Sequence, residues 1–122
     1  MNEDQLTLRA ETAPGGVGIV TVGGYINNEG GQRVADAALD LFERGHRTLL
    51  LDLAGTRIVN SVGVSILLEV LERVLDGGGR LAFCNLSPTI AKTFEIMGLS
   101  QYATIHPDRE RALAELAGDA GR

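Results

Sequence analysis

Residues 5–10 (QLTLRA) alternate apolar and polar side chains, which predicts a half-buried strand. The APGG stretch at 13–16 predicts a turn, because Pro presets φ and Gly reaches positive φ. A β-branched run at 17–26 (VGIVTVGGYI) predicts a second strand, hairpinned to the first. Residues 27–31 (NNEGG) interrupt it. From 32 to 44 the period lengthens: Val34, Ala38, Leu41 and Phe42 share one face of a helix that Gly45 stops. The nearly continuous apolar run at 47–53 (RTLLLDL) reads as a central strand covered on at least one face, and 54–60 (AGTRIVN) as the loop after it.

A helical period returns at Ser61. Val64, Leu67, Leu68, Leu71, Val74 and Leu75 form an apolar stripe expected in the core, while Glu69, Glu72, Arg73 and Asp76 face away. Gly77, Gly78 and Gly79 end that helix. A strand follows at 80–85 (RLAFCN), and Ser87–Pro88 opens a helix expected to bury Ile90, Ala91, Phe94 and Met97 before Gly98 closes it. Residues 102–106 (YATIH) predict a last strand, and Pro107 opens a helix burying Ala112, Leu113 and Leu116. The predicted architecture is one α/β domain over residues 1–117. Its sheet is mixed but mostly parallel, with about five strands and about four helices, and right-handed crossovers join the parallel strands. Residues 118–122 are expected to fray.

Composition narrows the chemistry. The 122 residues suit one domain, and a formal charge of −5 offers nucleic-acid phosphates little to hold. A single cysteine, Cys84, excludes an internal disulfide framework and a multi-cysteine zinc site, and suits a reducing compartment. The polar opening MNEDQLTLR is not expected to be a signal peptide, nor is any run long and apolar enough to span a membrane, so a cytoplasmic protein is expected. Gly15–Gly18 precedes a strand and lacks the P-loop lysine, so it reads as a turn. His46 and His106 stand alone at element borders and read as polar surface residues, and Cys84 as a small buried thiol. Neither a catalytic set, a metal site nor a cofactor is expected.

The informative segment is 59–65 (VNSVGVS), where Ser61 is read as the cap of the central helix. Its first backbone N–H groups, on Val62, Gly63 and Val64, have no partner inside the helix, and a serine hydroxyl can accept from one of them. Phosphorylation of that hydroxyl would put about −1.5 to −2 charges at the positive end of the helix dipole. Ser61 therefore reads either as a plain cap or as a reversible charge site.

Asn60-Ser61-Val62-Gly63-Val64-Ser65 resembles the Asp-Ser-Ser/Thr-Gly-Leu/Val-Gly signature that follows the third strand of the STAS family, the bacterial anti-sigma factor antagonists. Gly24-Tyr25-Ile26-Asn27, the glycine run into Arg80-Leu81, Leu86-Ser87-Pro88 and Met97-Gly98-Leu99 are similar to other family borders, in the same order. The resemblance implies a single STAS-like domain that is not an enzyme, with Ser61 as the phosphorylation site. It implies capture of an anti-sigma factor serine kinase, of histidine-kinase-like ATPase fold, by the unphosphorylated protein, which frees a sigma factor. A metal-dependent serine phosphatase would restore the binding form. The implied partner surface comprises Asn27, Asn28, Asn60, Ser61, Val62 and Gly63. The departures from the family pattern that bear on the site are Asn60 and Asn27, which stand for frequent aspartates, and Val62, which stands for a second hydroxyl. The alternative is a STAS accessory subunit of a membrane transport or larger signalling complex, in which Ser61 only caps.

Overall fold

The computed structural model describes residues 5–120, with side chains through residue 116. Residues 1–4, part of the polar opening, and 121–122 lie outside the described residues. The strands are β1 (Thr7–Ala13), β2 (Val17–Ile26), β3 (Thr48–Val59), β4 (Arg80–Cys84) and β5 (Thr104–His106). They alternate with helices α1 (Asn28–Glu43), α2 (Ser61–Asp76), α3 (Pro88–Ile96) and α4 (Arg109–Ala120), and a 3-10 turn at Leu99–Gln101 follows α3. The α/β order and the mixed sheet are as expected.

The strands lie in sequence order, β1-β2-β3-β4-β5, with only β1 antiparallel. Each parallel connection steps one place in the same direction, so right-handed crossovers set α1, α2 and α3 on one face of the sheet. There Val34 and Ala38, Leu67 and Leu71, and Ile90 and Phe94 pack on Val20, Leu49, Leu51 and Phe83. Phe94 meets Phe83 edge-on at 5.0 Å between ring centroids. On the other face α4 lays Ala112 and Leu116 over Val17, Ile19, Leu50, Ala82 and Cys84. Side chains alternate between faces along β3, so covering both faces is why all of 49–53 is buried and, Asp52 apart, apolar.

Several boundaries differ from the sequence reading. Residues 54–59, expected as loop, continue β3. Beyond Asp52↔Cys84 the strand has lost β4, and it pairs only with β2, through Gly23↔Gly55 and Ile26↔Val59. Two register shifts in that stretch break the alternation that would have marked it as a strand. α1 starts at Asn28, because Gly30 and Gly31, read as a break, are its first turn. α4 runs to Ala120, through Gly118 and Asp119, past the expected end of the domain at 117. Leu75 and Met97, expected in the core, are about two-fifths exposed, at 39% and 40%. His106, expected on the surface, is buried, with Nε2 3.0 Å from the Thr104 hydroxyl and Nδ1 3.3 Å from the Glu115 carboxylate.

Candidate functional site

The extension of β3 along β2 decides where two helices begin. Ile26 and Val59 end their strands side by side, and the backbone N–H of Asn60 donates to the Ile26 carbonyl at 3.0 Å. α1 and α2 therefore start next to each other, pointing the positive ends of both dipoles at one edge of the domain. The same device caps both. Asn27 Oδ1 accepts from the Gly30 N–H at 2.8 Å, and Asn60 Oδ1 accepts from the Gly63 N–H at 2.7 Å. Asparagine ranks with serine as a cap because its short side chain reaches the third amide of the helix.

This corrects the role expected of Ser61. Asn60 is the cap, with extended backbone, and Ser61 is the first helical residue. Ser61 is exposed, and its carbonyl accepts from the Ser65 hydroxyl at 3.0 Å. Its own hydroxyl is not needed to hold the helix start.

The first turns fit closely. A Cβ on Gly63 would lie 2.7 Å from the Ile26 carbonyl oxygen, and one on Gly31 would lie 3.3 Å from Gly63 Cα. Gly63, expected on the outward surface, is buried; it lets α2 settle against the end of β2. Asn27, Asn28 and Val62 are exposed, Val62 at 43%, and Asn60 is half-buried under its cap bond. Five of the six expected surface residues thus retain exposure at one edge. Their side chains are uncharged, and the first turn of α2 holds no acidic residue, whereas that of α1 carries Glu29. A surface depression of about 520 Å³ beside the start of α1 is lined by Leu6, Tyr25, Asn27, Glu29 and Arg33, among others.

A second polar cluster, which the sequence reading missed, lies on the α4 face. Arg109 donates to the Asp52 carboxylate at 2.9 Å, to Glu11 at 3.0 Å, and to the Thr21 hydroxyl. Asn85 donates to the other Asp52 oxygen at 3.0 Å. Burial pushes the Asp52 carboxyl pKa up, but the bonds from Asn85, the Ala54 N–H and Arg109 outweigh it and hold the group below its ordinary 3.8. Cys84 is buried, as expected; it lies beside Asp52, and its pKa is pushed up to about 12, chiefly by burial, which leaves it an unreactive thiol. With every partner inside the fold, this cluster ties α4 to three strands. Its members lie far apart in the chain, so no local motif announced it.

Among the described residues no helix is long and apolar enough to cross a membrane. A Bordetella bronchiseptica protein assigned as an anti-sigma factor antagonist, BtrV, is 26% identical over 99 residues, 81% of this chain and 85% of that protein. An anti-sigma factor antagonist from Mycobacterium paratuberculosis has the same fold, with TM-score 0.81 at 23% identity over 93% of this chain and 96% of that one. So does the Bacillus cell fate determinant SpoIIAA in its phosphorylated form, with TM-score 0.72 at 18% identity over 90% and 99% of the two chains. The family model for the STAS domain matches residues 9–112, nearly the whole sheet with the first three helices, and the chain belongs to that family.

Proposed function

We propose that this chain is an anti-sigma factor antagonist switched at Ser61. Unmodified, it captures an anti-sigma serine kinase with a histidine-kinase-like ATPase fold and so frees a sigma factor. Phosphorylation of Ser61 by that kinase releases it, and a metal-dependent serine phosphatase restores the binding form. The exchange takes place in the cytoplasm, with neither membrane insertion nor direct contact to nucleic acid.

The observation that carries this reading is the exposure of Ser61 at the first position of α2 while Asn60 supplies the cap. A kinase can reach the hydroxyl, and modifying it breaks no bond that the fold needs. Phosphate there would sit at the positive ends of two helices, which favour it, in a first turn of α2 that carries no acidic residue of its own. The surface read by the partner would thus change from neutral to about −2 with little change in shape, and a patch fitted to a hydroxyl would meet repulsion and a desolvation cost. Exposed Val62 offers that patch apolar contact, and Asn27, Asn28 and Asn60 offer uncharged polar contact. The resemblance to BtrV, and to SpoIIAA, solved in both unphosphorylated and phosphorylated forms, supports the same reading.

The test is capture of the cognate kinase with and without Mg-ATP, with mass spectrometry of the peptide containing Ser61. Ser61→Asp should lose capture, whereas Ser61→Ala should keep it and become insensitive to ATP. If both variants bind like the parent with ATP present, the switch is wrong, and a docking subunit with an unmodified Ser61 becomes the better account.

A further inference from the structure

The apolar stripe of α2 is wider than the core it packs on. Leu67, Val70, Leu71 and Val74 are buried, but Leu68 and Leu75 reach past the edge of the core toward the segment that follows α3. A groove of about 420 Å³ opens there, floored by Leu68, Leu71, Leu75, Met97 and Tyr102. Leu75, Met97 and Tyr102, which line it, are 39%, 40% and 67% exposed, a concentration of large apolar side chains that a solitary domain has no reason to show to water. The charged residues that line the groove are Glu72 and Asp76, both negative.

We propose that this groove is a docking site for a basic amphipathic helix of a partner protein. From Leu68 to Asp76 it follows two turns of α2, about 12 Å of helix axis, which suits a helix placing apolar residues at i, i+3 or i+4, and i+7. Tyr102 supplies rigid contact area, and Met97 adapts to the side chains it meets. Glu72 and Asp76 select lysine or arginine beside the apolar face. The same two charges disfavour a second copy of this face, which would set acid against acid, and an anionic lipid surface. The site does not rest on the Ser61 reading. The groove begins at Leu68, about 10 Å along α2 from Ser61, but the charges that select the partner, Glu72 and Asp76, lie 11 and 15 residues along it, about 16 and 22 Å or two Debye lengths and more at physiological salt, so charge at Ser61 is screened from them.

The test uses the full chain, isotopically labelled, and an 18-residue peptide with leucines on one helical face and lysines flanking them. Two control peptides accompany it: the same composition scrambled to destroy the face, and glutamates in place of the lysines. The lysine peptide should shift the amide signals of Leu68, Leu75, Met97 and Tyr102, and leave those of Val62 and Ser65 in place. Both controls, and the Glu72→Lys/Asp76→Lys variant, should bind at least about tenfold more weakly, and Tyr102→Ser, at an exposed position, should weaken binding without unfolding the protein. Ser61→Asp should bind the peptide like the parent, so failure of the switch and failure of the groove are distinguishable. Shifts centred elsewhere, equal binding of the scrambled or acidic peptide, or no binding would each overturn the proposal.

Discussion

Asn60 and Ser61 are neighbours that both have the chemistry of a cap, and the structure gives that work to Asn60 alone. Asn60→Ala removes the acceptor held 2.7 Å from the Gly63 N–H. A lost cap costs about 0.5–2 kcal/mol, and the upper part of that range applies here because Gly63 is buried and its amide cannot turn to water instead. The expected loss is about 1.5–2 kcal/mol, or roughly 5–8 °C in Tm for a domain of this size. Ser61→Ala removes an exposed hydroxyl without capping duty, so it should stay within about 0.5 kcal/mol of the parent. Asn60→Asp keeps the acceptor and adds charge at the helix N-terminus, a gain of about 0.3–1 kcal/mol at neutral pH. Because the helix end would lower that carboxyl's pKa in the folded state, the gain is full above the unfolded value of about 3.9 and disappears as pH falls through the folded one. Thermal and urea unfolding followed by circular dichroism measure all three. If Ser61→Ala costs as much as Asn60→Ala, Asn60 is not the sole cap of α2 and the reasoning from its bond to Gly63 fails.

Two further outcomes concern packing and charge. Gly63→Ala replaces a poor helix former with a good one, yet it should destabilise by about 1–2 kcal/mol, since its Cβ would meet the Ile26 carbonyl at 2.7 Å and backbone must move to admit it; a neutral or raised midpoint in urea would refute the tight fit of the two helix starts. Asp52→Asn should cost about 1–2 kcal/mol at pH 7, less than an isolated buried charge would imply because Arg109 keeps Glu11. Asp52 has a lowered pKa in the fold, so its contribution is complete above 3.8 and is lost as pH falls below that through the folded value. The stability difference between parent and variant, read from urea titrations at several pH values, should therefore narrow in acid; a constant difference would refute the charge-based account.

What the chain discloses and what it withholds divide along physical lines. Alternation in β1 and the 3.6-residue stripes of α1, α2 and α4 are local consequences of burying one face, so the element order could be read directly. Ser87 and Gly98 act where they stand, the first by accepting from the Ile90 N–H and the second at φ 88°, so both borders of α3 were legible. The second half of β3 was not, because it pairs with β2 alone through irregular register, and that support is more than 30 residues away in sequence. Periodicity also says which residues share a helix face but not how far the sheet reaches beneath it. Leu75 and Met97 repeat like core residues and end at the rim because β4 and β5 are only 5 and 3 residues long. The cap at Asn60 had a usable signal: Asn-x-x-Gly recurs at 27–30 and 60–63, and two like helix starts on adjacent parallel strands imply like caps. The ion pair of Asp52 with Arg109 had none, since 57 residues separate the partners.

The glycines at the helix starts bear on how any modification of Ser61 could act. Gly31 and Gly63 let the first turns of α1 and α2 lie close together, and Gly63 presses against the Ile26 carbonyl. Ser61 stands on this packed base without contributing to it. A charge added at such a position has no local order to dissolve, and the dipoles beneath favour it. A phosphate here would therefore change what a partner meets far more than how the domain is folded. The bistable element of such a switch would be the complex itself, bound or released, and not the backbone of this chain. Neutral asparagines at both caps sharpen the contrast. A carboxylate at position 60 would give the start of α2 a permanent negative charge before any phosphate arrived, whereas with Asn60 the first turn of α2 gains its negative charge from the phosphate alone.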